Sequence, residues 1–232
     1  MLYHSIIKNK RKLLLAVLAN FALLSAQESN KKNHLVLLKD AVKYIENQHF
    51  KQGTNWSPSG DTLSLNNYFL KENSKAILPI MGEFQYSRYP RKEWETALLK
   101  MKASGIGIIG FYDFWIHHEE KEGQFRFDDN LDVKAFLELI QKHHLKAVAR
   151  IGPWVHGETR NGGYPDWFVK KHMKSGFDRV SNNGEVVSEV VTWYQKLAEQ
   201  FKGFYHKDGG PLIGIQLDNE VRSNGPKSWG YE

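Results

Sequence analysis

Leu212-Ile213-Gly214-Ile215-Gln216-Leu217-Asp218-Asn219-Glu220 is the stretch on which the reading of this chain turns. The apolar run follows Gly209-Gly210-Pro211, so it reads as a buried strand that delivers an Asn-Glu pair at its carboxyl end. Comparable runs lie upstream at residues 76–84, 107–114 and 146–151, and segments with helical spacing occupy 91–104, 131–144 and 185–205. Strands alternating with helices in this way predict an α/β chain with a parallel sheet and helical crossovers.

A doubly wound open sheet and an eight-stranded barrel both satisfy that alternation. The residues that follow the strands separate them. Glu83 and Tyr86 come after the first run, Trp115 and His118 after the second, His156 and Glu158 after the third, and Asn219 and Glu220 after the fourth. A barrel brings every strand end to one mouth, whereas an open sheet concentrates its site at one switch point. Polar groups after each strand therefore predict the N-terminal portion, about four βα units, of a TIM (β/α)8 barrel.

Toward the N-terminus the pattern weakens. Residues 27–33 are polar, Leu35, Leu38, Val42 and Ile45 have helical spacing, and 53–67 are rich in Gly, Ser, Asn and Pro. A short helix, a loop and a hairpin near 63–77 are expected there. Ahead of this, Lys8, Lys10, Arg11 and Lys12 precede the apolar run from Leu13 to Leu24, and Ser25-Ala26 offers a cleavage point before Gln27. Such a run is shorter than the roughly 20 residues that span a bilayer. It predicts an export signal over 1–26 and a periplasmic or secreted protein with no membrane span once the signal is removed.

Composition narrows the classes. Of 232 residues, 41% are hydrophobic and 25% charged, which is ordinary for a globular protein. The formal charge of +6 owes four of its positive groups to the first twelve residues, so the chain lacks the basic footprint of a nucleic-acid binder. With no cysteine, the chain forms no disulfide. Gly105-Ile106-Gly107-Ile108-Ile109-Gly110 matches a dinucleotide fingerprint in spelling, but it follows a helix and opens a strand, the reverse of what the phosphates require. His117-His118, His143-His144 and His156 are not spaced as a metal site. Adjacent histidines on a strand would face opposite ways, and His143 and His144 suit a helix C-terminus. No cofactor and no metal are expected.

Five motifs in order, namely Met81-Gly82-Glu83-Phe84-Gln85-Tyr86-Ser87-Arg88-Tyr89-Pro90, residues 111–119, Arg150-Ile151-Gly152-Pro153-Trp154-Val155-His156-Gly157-Glu158, Gly162-Gly163-Tyr164-Pro165-Asp166-Trp167 and Asn219-Glu220, resemble glycoside hydrolase family 35. Members of that family are mostly β-galactosidases with a TIM-barrel catalytic domain. The resemblance covers residues 75–222 and implies a carbohydrate substrate. It implies that Glu220 is the proton donor and acid/base, and that Asn219 contacts the sugar near its 2-hydroxyl. It also implies sugar-binding roles for Tyr112 and Glu158. Trp115 and Trp154 are candidates for apolar walls or stacking faces, with core packing as the alternative. A carboxyl buried beside a second carboxylate would hold its proton at neutral pH, as an acid catalyst needs.

The resemblance is imperfect beside Glu158. Many members carry Cys-Ala-Glu or Asn-Ala-Glu where this chain has His156-Gly157-Glu158, and an imidazole donates or accepts where a thiol is a weak donor. His156 is therefore a further substrate-binding candidate. The family's nucleophile is a second Glu at the end of the seventh strand, so it is expected beyond residue 232. The sequence thus divides into a signal (1–26), a lead-in (27–74) and part of a catalytic barrel (75–232), expected to belong to a retaining exo-β-galactosidase acting on terminal β-galactosides of oligo- or polysaccharides. The alternative is a non-catalytic carbohydrate-binding or defunct fragment of such an enzyme.

Overall fold

The computed structural model describes residues 53–173 and 184–220. The export signal expected over 1–26 and the helix expected over 35–45 lie outside the described residues. Among those described, no helix is long and apolar enough to cross a membrane.

The chain first forms three short antiparallel strands, β1 (Leu63–Leu65), β2 (Leu70–Glu72) and β3 (Lys75–Ile77), in the order β1-β2-β3. The expected hairpin is thus extended to a three-stranded meander. Its first turn is closed by Asn66, whose Oδ1 accepts from the backbone N–H of Tyr68 (2.8 Å) and Phe69 (2.6 Å). Its second uses Asn73 and Ser74 at φ 49° and 66°, the paired left-handed residues of a tight hairpin.

Four parallel strands follow, β4 (Met81–Glu83), β5 (Ile108–Tyr112), β6 (Lys146–Gly152) and β7 (Leu212–Leu217), hydrogen-bonded in the order β4-β5-β6-β7. The apolar run over 76–84 is therefore two strands in different sheets rather than one. Pro79, with no N–H to give a ladder, stands in the break. The crossovers are α1 (Trp94–Ala103), α2 (Trp115–His118), α3 (Val133–Lys142), α4 (Asp166–His172) and α5 (Gly184–Phe201). Sequential parallel neighbours joined through helices make this sheet a segment of a (β/α)8 barrel. Among the described residues β4 and β7 are its edges, and Met81, Ile215 and Leu217 on them are exposed.

Packing follows from helical periodicity. In α5 the buried side chains are Val186, Val190, Trp193, Leu197 and Phe201, a stripe at three- and four-residue spacing, and α3 buries Val133, Phe136, Leu137 and Ile140. The start of α3 is fixed by Asp132, whose Oδ1 accepts from Ala135 N–H at 2.9 Å. Phe136 sits among Tyr86, Phe84, Trp94 and Phe111, with ring centroids 5.2, 5.4, 5.5 and 5.6 Å away. This aromatic layer joins the back of β4 and β5 to two helices.

His117 and His118 do not lie on a strand. They end the short helix α2, where His118 turns inward and is fully buried while His117 stays partly exposed with Nδ1 3.0 Å from Ser87 Oγ. The glycines of the Gly105–Gly110 run lead from the end of α1 into β5, with Gly105 at φ +88° as the left-handed residue that stops the helix.

Candidate active site

The carboxyl ends of all four parallel strands meet at one pocket of about 330 Å³. The segment after β4 contributes Glu83, Gln85 and Arg88, β5 contributes Tyr112, the loop after β6 contributes His156 and Glu158, and the end of β7 contributes Asn219 and Glu220. Tyr112, His156, Glu158, Asn219 and Glu220, all expected from sequence, are thus brought together.

The floor is tied across strands. Gln85 Oε1 accepts from Tyr112 N–H at 3.0 Å, joining the ends of β4 and β5. Arg150, from β6, reaches both neighbours: Nη1 lies 2.5 Å from Glu83 Oε1 and also donates to the Tyr112 hydroxyl, with the guanidinium 4.8 Å from that ring's centroid. An arginine shared between a carboxylate and a phenol fixes the direction of both. Tyr112 is accordingly almost wholly buried while still lining the pocket.

The loop after β6 is folded tightly to expose its polar tips. Gly162 O accepts from the N–H of Val155 (2.9 Å) and His156 (3.2 Å), while Gly162 N–H donates to Thr159 O at 3.0 Å. Gly162 is at φ +61°, and a Cβ there would lie 2.0 Å from the Trp154 ring. Only glycine allows that approach. His156 and Glu158 themselves have φ of 57° and 47°, uncommon for residues with side chains, and both are exposed at the pocket. Arg88 anchors this loop from the β4 side, donating from Nη2 to Glu158 O (3.4 Å) and to the Thr159 hydroxyl, with its guanidinium 4.3 Å over Phe114.

After β7 the chain turns at Asp218, at φ 55°, whose N–H donates to Gly152 O at 2.7 Å. Asp218 is buried, and its Oδ1 accepts from Asn219 N–H at 3.0 Å; burial raises its pKa while backbone hydrogen bonds from Asn219 and Trp154 oppose the rise. Gln216 Nε2 donates to Asp218 O (3.1 Å) and to Asn219 Oδ1 (3.2 Å), which fixes the Asn219 carboxamide with its oxygen engaged. Glu220 is exposed, not buried as its expected role suggested. The reason is topological: β7 is an edge strand among the described residues, so no neighbour covers it.

Three residues expected near the site are placed elsewhere. Trp115 is in the core, stacked on Trp193 at 6.0 Å and packed on Phe168 at 4.9 Å, and its Nε1–H donates to Glu119 Oε2 at 2.5 Å. Tyr86 and His118 are equally buried, bonded to each other behind the pocket. Trp154 spends one face on Gly162. Conversely Gln85 and Arg88 line the pocket and Arg150 braces its floor, although their sequence positions do not mark them as site residues. For Arg150 the signal was present: along β6 the burial alternates, with Ala147, Ala149 and Ile151 buried and Lys146, Val148 and Arg150 on the other face. A charge in mid-strand on the inner face is costly unless it serves neighbours.

Among the described residues the group whose geometry could hold a metal is His172, Glu185 and Glu189, on α4 and α5 rather than at the pocket. The Lys171 ammonium already lies 2.7 Å from Glu189, 3.0 Å from Glu185 and 3.1 Å from Glu122. Those carboxylates raise its pKa, and the ammonium offsets part of their charge.

Comparison with known proteins gives consistent results. The family model described as glycosyl hydrolases family 35 matches residues 69–229. A β-galactosidase of Canis lupus familiaris is 34% identical over 68% of this chain, and one of Homo sapiens is 36% identical over 67%. The chain spans only 23% and 22% of those two relatives. Among solved structures, an exo-β-1,4-mannosidase from Opitutaceae bacterium strain TAV5 superposes over 72% of this chain and 26% of its own, with a TM-score of 0.51 at 15% identity, a likeness of fold. With the motifs in order, their polar ends gathered at one barrel mouth and the family model matched over most of the chain, this chain belongs to glycosyl hydrolases family 35.

Proposed function

We propose that the chain supplies the acid/base and part of the sugar-binding wall of a retaining exo-β-galactosidase acting on terminal β-galactosides of oligo- or polysaccharides. The observation that carries this reading is the convergence of Tyr112, His156, Glu158, Asn219 and Glu220 on one pocket at the strand ends. Glu220 protonates the departing glycosidic oxygen and later takes a proton from the attacking water. Asn219 donates to the 2-hydroxyl, a bond that strengthens as the ring gains oxocarbenium character. Glu158 accepts from the sugar hydroxyls and His156 flanks it as a second polar group. A retaining site needs a second carboxylate about 5 to 5.5 Å from the first. Glu83 is engaged by Arg150, so that nucleophile comes from chain beyond the described residues.

The test is hydrolysis of a chromogenic β-galactoside by the protein expressed with everything its reading frame encodes, with the β-glucoside and β-mannoside as comparators. Preference for either comparator would overturn the galactoside assignment. Binding of galactose without turnover would instead support the non-catalytic reading. Replacing Glu158 with Ala removes a charged acceptor worth about 1.5 to 3 kcal/mol, so galactose affinity should fall roughly ten- to hundredfold by calorimetric titration. An unchanged affinity would remove Glu158 from the sugar site.

Export is part of the same proposal, since extracellular polysaccharides are reached only outside the cytoplasm. N-terminal sequencing of material from the native host should begin near Gln27. A mature protein still starting at Met1 would refute it.

A further inference from the structure

Behind the pocket, Tyr86, Asp113 and His118 form a chain of polar groups that are all fully buried. The Tyr86 hydroxyl oxygen lies 2.8 Å from Asp113 Oδ1 and 2.8 Å from His118 Nε2. His118 Nδ1 lies 2.8 Å from the carbonyl oxygen of Arg126. A carbonyl can only accept, so Nδ1 carries a hydrogen.

The proton count is then restrictive. Tyr86 has one hydroxyl proton for two close neighbours. With a neutral imidazole, Nε2 is an acceptor and takes that proton, and the contact between Tyr86 and Asp113 must be made by a proton on Asp113. With a neutral imidazole and an ionised Asp113, one of the two contacts sets lone pairs against each other. With a doubly protonated imidazole the count also closes, but it leaves a cation and an anion apart in a fully buried place, which is expensive. Asp113 Oδ2 is buried and has no hydrogen-bond partner, tolerable for a neutral acid and costly for a carboxylate. His118 is stacked on Phe127 at 4.8 Å and lies 5.6 Å from Trp193, aromatic surroundings that offer an imidazolium no counter-ion.

We propose that Asp113 is an uncharged carboxylic acid whose proton bridges to Tyr86, and that the resulting one-way relay from Asp113 through Tyr86 and His118 to Arg126 makes Asp113 a positioning residue for the pocket. Asp113 directly follows Tyr112 and Tyr86 directly follows Gln85, so this side-chain bond runs behind the bond between Tyr112 and Gln85 on the pocket floor. The relay pins the two strand ends from the rear. The positioning role rests on the pocket being the sugar site, while the protonation state does not.

The electrostatic surroundings agree with the geometry. Burial pushes Asp113 from its ordinary 3.8 up to about 8, a rise that a bond donated by Tyr86 to the ionised form would oppose, and pushes His118 from 6.5 down to about 4. The other charged groups felt here are Asp132, toward Tyr86, and His117, toward His118; the Arg126 side chain is engaged by Asp128. A raised carboxyl binds its proton more tightly when folded, so its stabilisation is complete below pH 3.8 and is lost as pH rises to about 8. The depressed histidine behaves oppositely, contributing fully above pH 6.5 and losing that contribution as pH falls to about 4. Between pH 6.5 and about 8, Asp113 is the member of the relay that sets the slope.

In the protein expressed with everything its reading frame encodes, urea denaturation across that window should show the folded-to-unfolded ratio falling about tenfold per pH unit relative to Asp113→Asn. The asparagine amide can donate the same bond to Tyr86 but cannot titrate. Equal slopes for the two proteins would overturn the proposal. Infrared spectra of the wild type labelled with 13C-aspartate should contain a buried carboxylic-acid carbonyl band that fades as pH passes about 8. The 15N spectrum of His118 should show one protonated and one bare nitrogen. Absence of the acid band, or two protonated nitrogens, overturns the assignment even if the variant fails to fold. For the positioning role, Asp113→Ala should weaken galactose binding and Asp113→Asn should preserve it. If the wild type binds no galactose while the acid band is present, the sugar-site reading has failed and the protonation state stands; equal binding by all three proteins sinks the positioning role alone.

Discussion

Replacing Glu220 with Gln is expected to lower turnover of unactivated β-galactosides by about 10² to 10⁴-fold, the usual contribution of a positioned proton donor. The amide keeps the size of the side chain and can still hydrogen-bond, but it cannot give the glycosidic oxygen a proton or take one from water. An aryl galactoside with a good leaving group needs little protonation, so its first step should be hurt far less. Azide should then rescue the second step, because it attacks without a general base, and the product should be the β-galactosyl azide. The exposed position of Glu220 and its place beside Asn219 at the end of β7 leave the carboxyl accessible to substrate. Steady-state rates for paired activated and unactivated substrates decide the matter. Equal losses on both, with no azide rescue, would remove Glu220 from the acid/base role.

Trp115→Ala is expected to cost about 3 to 5 kcal/mol of folding stability, the range for deleting a large buried aromatic. The indole stacks on Trp193 and packs at a tilt against Phe168, and its N–H is the donor held by Glu119 Oε2. Removing it opens a cavity and also strips a donor from a buried carboxyl whose pKa burial already raises. That second loss adds about 1 to 3 kcal/mol. Urea denaturation measures the cost. The KM of folded variant for a galactoside should stay near that of the wild type, since the ring does not reach the pocket. A large rise in KM with stability intact would return Trp115 to the sugar site.

The contrast between Trp115 and Arg150 shows where linear reading stops. Both are bulky groups near strand ends, and sequence position alone favours the tryptophan as a ligand contact. The short helix α2 decides otherwise, because its single turn rotates Trp115 and His118 into the layer behind the sheet while Arg150 remains on the inner face of β6. Tyr86 and Asp113 are distant in sequence, and nothing in either motif announces that they share a proton. The run over 76–84 misled for a local reason, since Pro79 divides a continuous apolar stretch between two sheets.

The sequence by itself determined the order of the four parallel strands and of the three long helices between them, the residues that sit after each of those strands, and the family motif that ends in Asn219-Glu220. Those are properties of short windows, set by periodicity, turn residues and motif spacing, and β7 occupies the Leu212–Leu217 run that the sequence marks out. Tertiary structure alone decided which aromatic rings are core, that Arg150 serves Glu83 and Tyr112 together, that Glu220 after β7 is exposed among the described residues, and that Asp113 meets Tyr86 in the interior. Burial and hydrogen-bond partnership arise from contacts between segments far apart in the chain, and a local pattern fixes which face a side chain takes without fixing what it will meet there.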